Sequence, residues 1–357
     1  MRAEGDTMRR GIPNIGEVAR AAGVSVGTVS NALNNPERLA PDTLERVHGA
    51  IAELGYIRSS AGRTLIQNAS EDLGLIVPDL INRLFIEVAR GAQLTAGESD
   101  KRVVMANSGY NANDLANGIE QHDAQDDLLG YFAEARAGGV IVCSMREPSA
   151  GIERIRNHVR PIVLVNYDVP GADWCTVLMD NEQVGRAAVD HVADLGIRHA
   201  YFLSIDDIVQ PVGERRRGAR EAAARRGVRL TEVATPGLMQ NAGAAVIGGL
   251  VEPLRAAKAR GERVALLFLS DDLAIGAMPA LRAAPDLRIP DDVAIVGMDG
   301  DHRASGNDWM SMTSITLPGY RMGAEAVRLL EAEAQPGHVH ERVVVPVEIS
   351  PGATTIG

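Results

Sequence analysis

The sequence predicts a small all-α helix-turn-helix headpiece followed by a larger α/β body of two lobes. Three observations predict it. Residues 14–54 carry apolar side chains at helical spacing, broken by one tight turn. From Leu73 onward, short apolar runs alternate with amphipathic helical patterns, the signature of parallel sheets covered by helices. The chain has 357 residues, and the strand-like runs are too many for one compact core.

Met1 to Pro13 is charged and has no apolar run, so residues 1–13 read as a disordered leader rather than a signal peptide, with Met8 an alternative start. Residues 14–57 are the headpiece. Ile15, Val18, Ala19 and Ala22 give a first helix one apolar face. Asn14 is placed to cap it, Glu17 to bond back as a capping box, and Gly23 to end it in a left-handed conformation. Ser25 is a good cap for a second helix, on which Val29, Ala32 and Leu33 face inward. Val26, Gly27, Thr28, Ser30 and Asn31 are left small or polar on the outside, as a helix entering the major groove requires. A third helix is expected from Pro41 to Leu54, its inner stripe Leu44, Val47, Ile51 and Leu54, with Gly55 closing it.

Residues 58–70 form a linker and residues 71–350 the body, with 351–357 a tail. Strands are expected at Leu73–Val77, Val103–Ala106, Gly139–Cys143, Ile162–Val165, Ala200–Leu203, Val264–Leu269 and Val293–Val296. Helices are expected near Phe85–Ala96, Glu182–Leu195, Glu214–Arg226, Ala244–Ala259, Leu273–Ala283 and Arg321–Glu333. An acidic, Asn-rich stretch at Asn111–Asp127 reads as a surface elaboration.

Net charge is −11, but it is unevenly divided. Residues 1–70 carry eight arginines against seven acidic residues, and the remainder 28 basic against 40 acidic. An acidic body repels DNA, so binding is confined to the headpiece and linker. A weakly basic headpiece makes few phosphate contacts, so two per duplex, hence a homodimer on a near-palindromic operator, restore affinity. No apolar run approaches the length of a membrane helix, so no membrane partner is expected. Cys143 and Cys175 read as buried thiols of a cytoplasmic protein. The eight histidines show no metal-ligand spacing, no cofactor is implied, and no nucleophile elbow, zincin motif or P-loop points to an enzyme.

The run from Asn14 to Asn34 resembles the headpiece of the lactose-repressor (LacI/GalR) family of bacterial transcription regulators. The match continues through Thr43, Arg46-Val47, Ala50-Ile51, Leu54-Gly55-Tyr56 and Arg63-Thr64-Leu65. The body resembles the family's periplasmic-binding-protein-like effector domain. Its marks include Gly74-Leu75-Ile76-Val77-Pro78-Asp79, Asp271-Asp272-Leu273-Ala274-Ile275-Gly276, Val296-Gly297-Met298-Asp299 and Thr313-Ser314-Ile315.

The resemblance implies a sequence-specific DNA-binding regulator, read as a repressor, controlled by a small molecule between the lobes. Asn14, Ile15, Ser25, Val26, Gly27, Thr28, Ser30, Asn31, Asn34 and Thr43 are the candidate DNA contacts, joined by Ser59 and Leu65 in a linker that becomes a minor-groove helix on DNA. Val26 suits a thymine methyl and Asn31 an adenine, and Asn14 and Ser25 read equally as helix caps. The candidate ligand residues are Asp79, Phe85, Asn166, Arg215, Asp271 and Asp299. An Arg with carboxylates suits a polyhydroxylated effector, a sugar or sugar derivative. Asp271 also fits a helix cap, Asp299 a turn and Arg215 a solvated ion pair. Leu238, Leu317 and Asn82-Arg83-Leu84-Phe85 depart from the family pattern. Aromatics are only 3% of the chain, so a stacking face must come from Phe85, Tyr167, Trp174 or Trp309. The alternatives are a purine- or nucleoside-responsive repressor of the same family and a solute-binding protein without DNA function.

Overall fold

The computed structural model describes residues 13–57, 72–120, 122–158, 161–206, 209–300 and 311–356. The linker with Ser59 and Leu65, most of the leader, and Trp309 lie outside the described residues. The chain divides into two compact units, Met1–Ala69 and Ser70–Gly357.

In the first unit, α1 (Ile15–Ala22), α2 (Val26–Asn34) and α3 (Pro41–Leu54) pack around Val18, Ala19, Ala22, Val29, Ala32 and Val47. The capping box at α1 forms in full. Asn14 Oδ1 accepts from the Gly16 and Glu17 amides at 2.9 and 3.1 Å, and the Asn14 amide donates to Glu17 Oε2 at 2.9 Å. Gly23 has φ +65°, which lets the chain leave α1 and re-enter α2 within three residues.

The second unit holds two six-stranded sheets. Sheet one is built from β1 (Asp72–Val77), β2 (Arg102–Asn107), β3 (Val140–Cys143), β4 (Ile162–Val165), β5 (Cys175–Met179) and β11 (Arg342–Val345), in the order β11-β5-β4-β3-β1-β2, all parallel. Sheet two is built from β6 (His199–Ser204), β7 (Arg229–Ala234), β8 (Val264–Phe268), β9 (Val293–Gly297), β10 (Thr313–Thr316) and β12 (Glu348–Ser350). Its order is β12-β10-β9-β8-β6-β7, with only β12 antiparallel. Because β11 belongs to sheet one and β12 to sheet two, the chain crosses between lobes three times: after β5 at Asp180, after β10 at Leu317-Pro318, and at Pro346-Val347.

Helices α4 (Arg83–Gly97), α5 (Ala112–Ala116), α6 (Gln125–Glu134), α7 (Ser149–Ile155) and α13 (Gly319–Glu333) serve the first lobe. Helices α8 (Asn181–Asp194), α9 (Gln210–Arg226), α10 (Gln240–Ile247), α11 (Val251–Ala259) and α12 (Asp271–Arg282) serve the second. One long helix was expected over Ala244–Ala259. Instead the Gly248-Gly249 pair separates α10 from α11, since two glycines leave the backbone without helical preference.

Three helix pairs meet backbone to backbone through reciprocal glycines. A Cβ on Gly185 of α8 would stand 1.9 Å from the Arg215 carbonyl oxygen of α9, and one on Gly218 would stand 2.0 Å from the Glu182 carbonyl. Gly243 and Gly276 relate α10 and α12 in the same way, as Gly91 and Gly323 relate α4 and α13.

The segment read as a tail is built into sheet two. The Ile295 amide donates to the Thr354 carbonyl at 2.9 Å, Thr354 Oγ1 donates to the Ile295 carbonyl at 2.8 Å, and Thr354 and Thr355 are buried. Both cysteines are free and buried. No helix among the described residues is long and apolar enough to cross a membrane.

Candidate functional site

Two surfaces carry the chemistry. On the headpiece, α2 is capped by Ser25, whose Oγ accepts from the Thr28 amide at 3.1 Å and pairs with Thr28 Oγ1 at 2.9 Å. Burial of Val29 and Ala32 turns the opposite side of α2 outward, leaving Ser25, Val26, Gly27, Asn31 and Asn34 exposed and Thr28 and Ser30 partly so. Val26 keeps 49% of its surface in solvent, an apolar side chain with nothing inside the headpiece to cover it. Asn34 folds back on its own helix, donating to the Ser30 carbonyl at 2.9 Å and hydroxyl at 3.3 Å. Asn14 is exposed at the start of α1 and Thr43 half-exposed in the first turn of α3, whereas Ile15 packs against the headpiece core.

In the body, a cleft opens at the carboxyl ends of both sheets, the expected place for a ligand in α/β layers. It encloses about 120 Å³ of its own and opens to about 930 Å³ once the solvent at its mouth is counted. All six ligand residues expected from the sequence line it: Asp79 after β1, Phe85 on α4, Asn166 after β4, Arg215 on α9, Asp271 at the start of α12 and Asp299 after β9.

Arg215 is held from four sides. Its Nε donates to Asn181 Oδ1 at 3.2 Å, its Nη1 to the Leu269 and Met298 carbonyls at 3.4 and 3.2 Å, and Nη1 lies 3.5 Å from Asp299 Oδ1. Burial pulls the Arg215 pKa down and the facing Asp299 carboxylate opposes that pull. Burial pushes the Asp299 carboxyl up, and the Arg215 guanidinium holds it back. Arg215 is thus a buried, partnered cation, not a solvated ion pair.

Asp271 and Asp299 clasp each other. The Asp299 amide donates to Asp271 Oδ1 at 3.2 Å and the Asp271 amide lies 3.4 Å from Asp299 Oδ2. Both Asp271 oxygens also lie within reach of the Ser314 hydroxyl, at 2.7 and 3.0 Å. Helix α12 is capped not by Asp271 but by Ser270, whose Oγ accepts from the Leu273 amide at 3.2 Å. So Asp271 orients Asp299, and Asp299 is the freer carboxylate.

Asp79 closes a turn, its Oδ1 accepting from the Ile81 and Asn82 amides at 2.8 and 2.7 Å, while burial raises its pKa. Asn166 is buried with φ +66°, and its Oδ1 has no hydrogen-bond partner among the described residues. An orphaned buried acceptor in a cleft is left to be satisfied from outside the protein, by water or by a bound molecule.

Phe85 is the cleft's single aromatic among the described residues, and its ring is almost wholly enclosed in the first lobe's core. Trp174 is buried in, and Tyr167 packs against, the apolar cluster of Ile76, Val142 and Leu164, and neither lines the cleft. The Asn-rich stretch is not peripheral: Asn111, Ala112 and Asn113 line the cleft. Asn113 Oδ1 accepts from the Leu238 amide at 2.8 Å, joining one lobe to the other. Gln210 makes a second bridge, its Oε1 accepting from the Asp168 amide at 3.0 Å and its Nε2 donating to the Asp168 carbonyl at 3.3 Å. No sequence signal pairs these residues, which lie 125 and 42 positions apart.

Residues 14–59 match the family model for bacterial regulatory proteins of the lacI family, and residues 189–355 that for a periplasmic binding protein-like domain. The chain is 31% identical over 333 residues to the HTH-type transcriptional regulator CelR of Thermobifida fusca, covering 90% of this chain and 92% of that one. The chain belongs to the lacI family. As a member it is a DNA-binding transcriptional regulator with an effector-binding domain, and its relatives are regulators rather than enzymes. Two solved structures share the fold. The lac repressor dimer bound to operator and the anti-inducer ONPF superposes with TM-score 0.76 at 21% identity, covering 97% of this chain and 99% of that one. A CelR–cellobiose complex superposes with TM-score 0.62 at 24% identity, covering 96% and 99%.

Proposed function

We propose that this lacI-family regulator is an operator-binding repressor. Its DNA affinity is set by a neutral polyhydroxylated effector, a sugar or sugar derivative, held between the lobes. The observation that carries the reading is the trio of Arg215, Asp299 and Asn166 on one cleft. A fixed guanidinium donates to hydroxyl oxygens, a carboxylate accepts from a pair of hydroxyls, and the unpartnered Asn166 Oδ1 accepts one more. Cellobiose in the CelR complex supports the same class here. A purine or nucleoside is disfavoured because Phe85 offers the cleft little open ring face.

On DNA, Val26 and Asn31 read base edges, and Asn14, Ser25, Thr28, Ser30, Asn34 and Thr43 hold phosphates. A homodimer places two such headpieces on a near-palindromic operator, and Ser59 and Leu65 extend the contact through the linker. The effector acts through its different affinity for the operator-competent and operator-incompetent arrangements of the lobes.

The test is thermal stability of the purified protein against a panel of sugars, sugar phosphates and nucleosides, repeated with Arg215→Ala and Asp299→Asn. A sugar that stabilises the parent and neither variant supports the reading, and its effect on operator affinity separates inducer from corepressor. A response to nucleosides alone, or to nothing in the panel, overturns the sugar assignment and leaves the family membership untouched.

A further inference from the structure

At the opposite ends of the strands from the cleft, three chain segments converge. Cys175 opens β5, His338 and His340 lie on the segment leading into β11, and Glu333 closes α13. Cys175 Sγ lies 3.0 Å from His338 Nε2 and 3.9 Å from His340 Nδ1, and the three donor atoms all fall within 4.8 Å of one another. Glu333 Oε2 stands 4.0 Å from His340 Nδ1, shielded from solvent, and the same carboxylate interacts with the Cys175 side chain.

We propose that Cys175, His338, His340 and Glu333 form a binding site for a divalent transition ion of the zinc class. The donor set is one thiolate, two imidazoles and one carboxylate, which suits zinc and not the oxygen-seeking magnesium or calcium. Tetrahedral zinc with bonds of about 2.0–2.3 Å sets its ligand atoms roughly 3.3–3.7 Å apart. The donors of Cys175, His338 and His340 already stand close to that spacing, 3.0 and 3.9 Å from the sulfur and all within 4.8 Å of one another, while Glu333, 4.0 Å from His340 Nδ1 and outside that trio, must swing inward to complete the shell.

The surroundings match as well. His340 turns Nδ1 toward the cluster, and its Nε2 lies 3.3 Å from Asp173 Oδ1, the carboxylate behind a metal-bound imidazole that sets its tautomer. Asp173 is itself held by Arg156. The Glu341 amide points at Cys175 Sγ from 3.4 Å, a donor that stabilises a thiolate. Cys175 is buried, His338 half-buried and His340 exposed, so an ion has a route in from solvent. Binding exchanges the thiol proton for the ion and ties α13 to the β5–β11 edge of sheet one.

The experiment uses the untagged full chain, stripped with a chelator and reloaded with Zn²⁺ or with Co²⁺ as a spectroscopic probe. The expected result is one ion retained per chain after dialysis. Co²⁺ should give a thiolate-to-metal charge-transfer band with tetrahedral ligand-field absorption. Cys175→Ser should abolish the charge-transfer band. His338→Gln, at a half-buried position, serves as a second variant should the first fold poorly, and should also lose ion retention. Asp173→Asn should keep the band at saturation but weaken affinity about 10–100-fold. Absence of a Cys175-dependent band, or zinc retention unchanged in both ligand variants, overturns the site and leaves a hydrogen-bonded Cys–His pair only.

Discussion

Replacing Gly218 by alanine tests how Arg215 is placed in the cleft. The added methyl would sit 2.0 Å from the Glu182 carbonyl oxygen, 2.6 Å from its carbon and 2.7 Å from Cα. Backbone cannot rotate aside as a side-chain tip can, so α8 and α9 must part by roughly 1 Å to restore ordinary contact. Overpacking of this kind costs about 1–3 kcal/mol, and the upper part of that range applies because three backbone atoms clash at once. The expected drop in thermal midpoint is roughly 3–5 °C. Arg215 lies one turn before Gly218 on α9, so its bonds to Asn181 and the Leu269 carbonyl lengthen as well, and effector affinity falls with stability. Gly130 of α6 is the control: a Cβ there meets nothing within 4 Å, so Gly130→Ala stabilises by about 0.5–1 kcal/mol through helix propensity alone. Denaturant melts of both variants decide the matter. If Gly218→Ala is as stable as the parent, or if both glycine variants fall together, the backbone contact is not what seats Arg215.

Other expectations follow from the same physics. Burial and the neighbouring Arg229 lower the His199 pKa below its ordinary 6.5, and burial lowers that of His191. The unfolded chain therefore takes up protons that the folded chain refuses, so stability is full above about pH 6.5 and declines as pH falls below it. Thermal melts of a His191→Gln, His199→Gln double variant should show a shallower acid slope, and an unchanged slope would place the titration elsewhere. Asn14→Ala removes the α1 capping box at a cost of about 1 kcal/mol, so amide exchange in the first turn of α1 should quicken roughly fivefold; unchanged exchange would show the cap to be dispensable. Gln210→Ala removes two hydrogen bonds to Asp168 across the cleft, worth about 1–2 kcal/mol together, and should weaken the best-binding sugar several-fold; equal affinity would mean that the bridge forms in the open and closed forms alike.

The headpiece was legible because every signal in it is local. The bounds of α3, the capping box and the left-handed Gly23 all follow from residues a turn apart. In the body, the seven apolar runs all appear as strands, the largely exposed edge strand β2 among them, while β5, β7, β10, β11 and β12 are not among the expected strands. β7, β11 and β12 are edge strands with exposed polar residues such as Arg229 and Glu232, so their composition is that of a surface. β5 and β10 are buried inside their sheets but short, and β10 is built from Thr313, Ser314 and Thr316 around one Ile, too polar to read as an apolar run. The cleft residues were reached one at a time, yet three features were not readable. The Asn111–Asn113 stretch looked like surface decoration because its partner, Leu238, is distant in the chain. Ser270, adjacent to Asp271, took the capping role. The histidines showed no ligand spacing because His338 and His340 complete their cluster with Cys175, 163 positions away, and only sheet pairing between β5 and β11 brings them together.

The three crossings between the lobes constrain how an effector can be felt at a distance. A single tether would let one lobe tumble against the other, whereas three leave little besides opening and closing. Within each lobe, the glycine-on-glycine helix contacts contain no rotamers that could yield. If an effector seats on Asn166 and Asp299 as proposed, its pull meets little soft material at these helix contacts. It would then emerge as angular travel, and a fraction of an ångström gained at the cleft wall would grow with distance from Asp180, Leu317-Pro318 and Pro346-Val347. The lobes would act as paired lever arms with their fulcrum at the crossings, the arm length, not the number of contacts, setting the stroke.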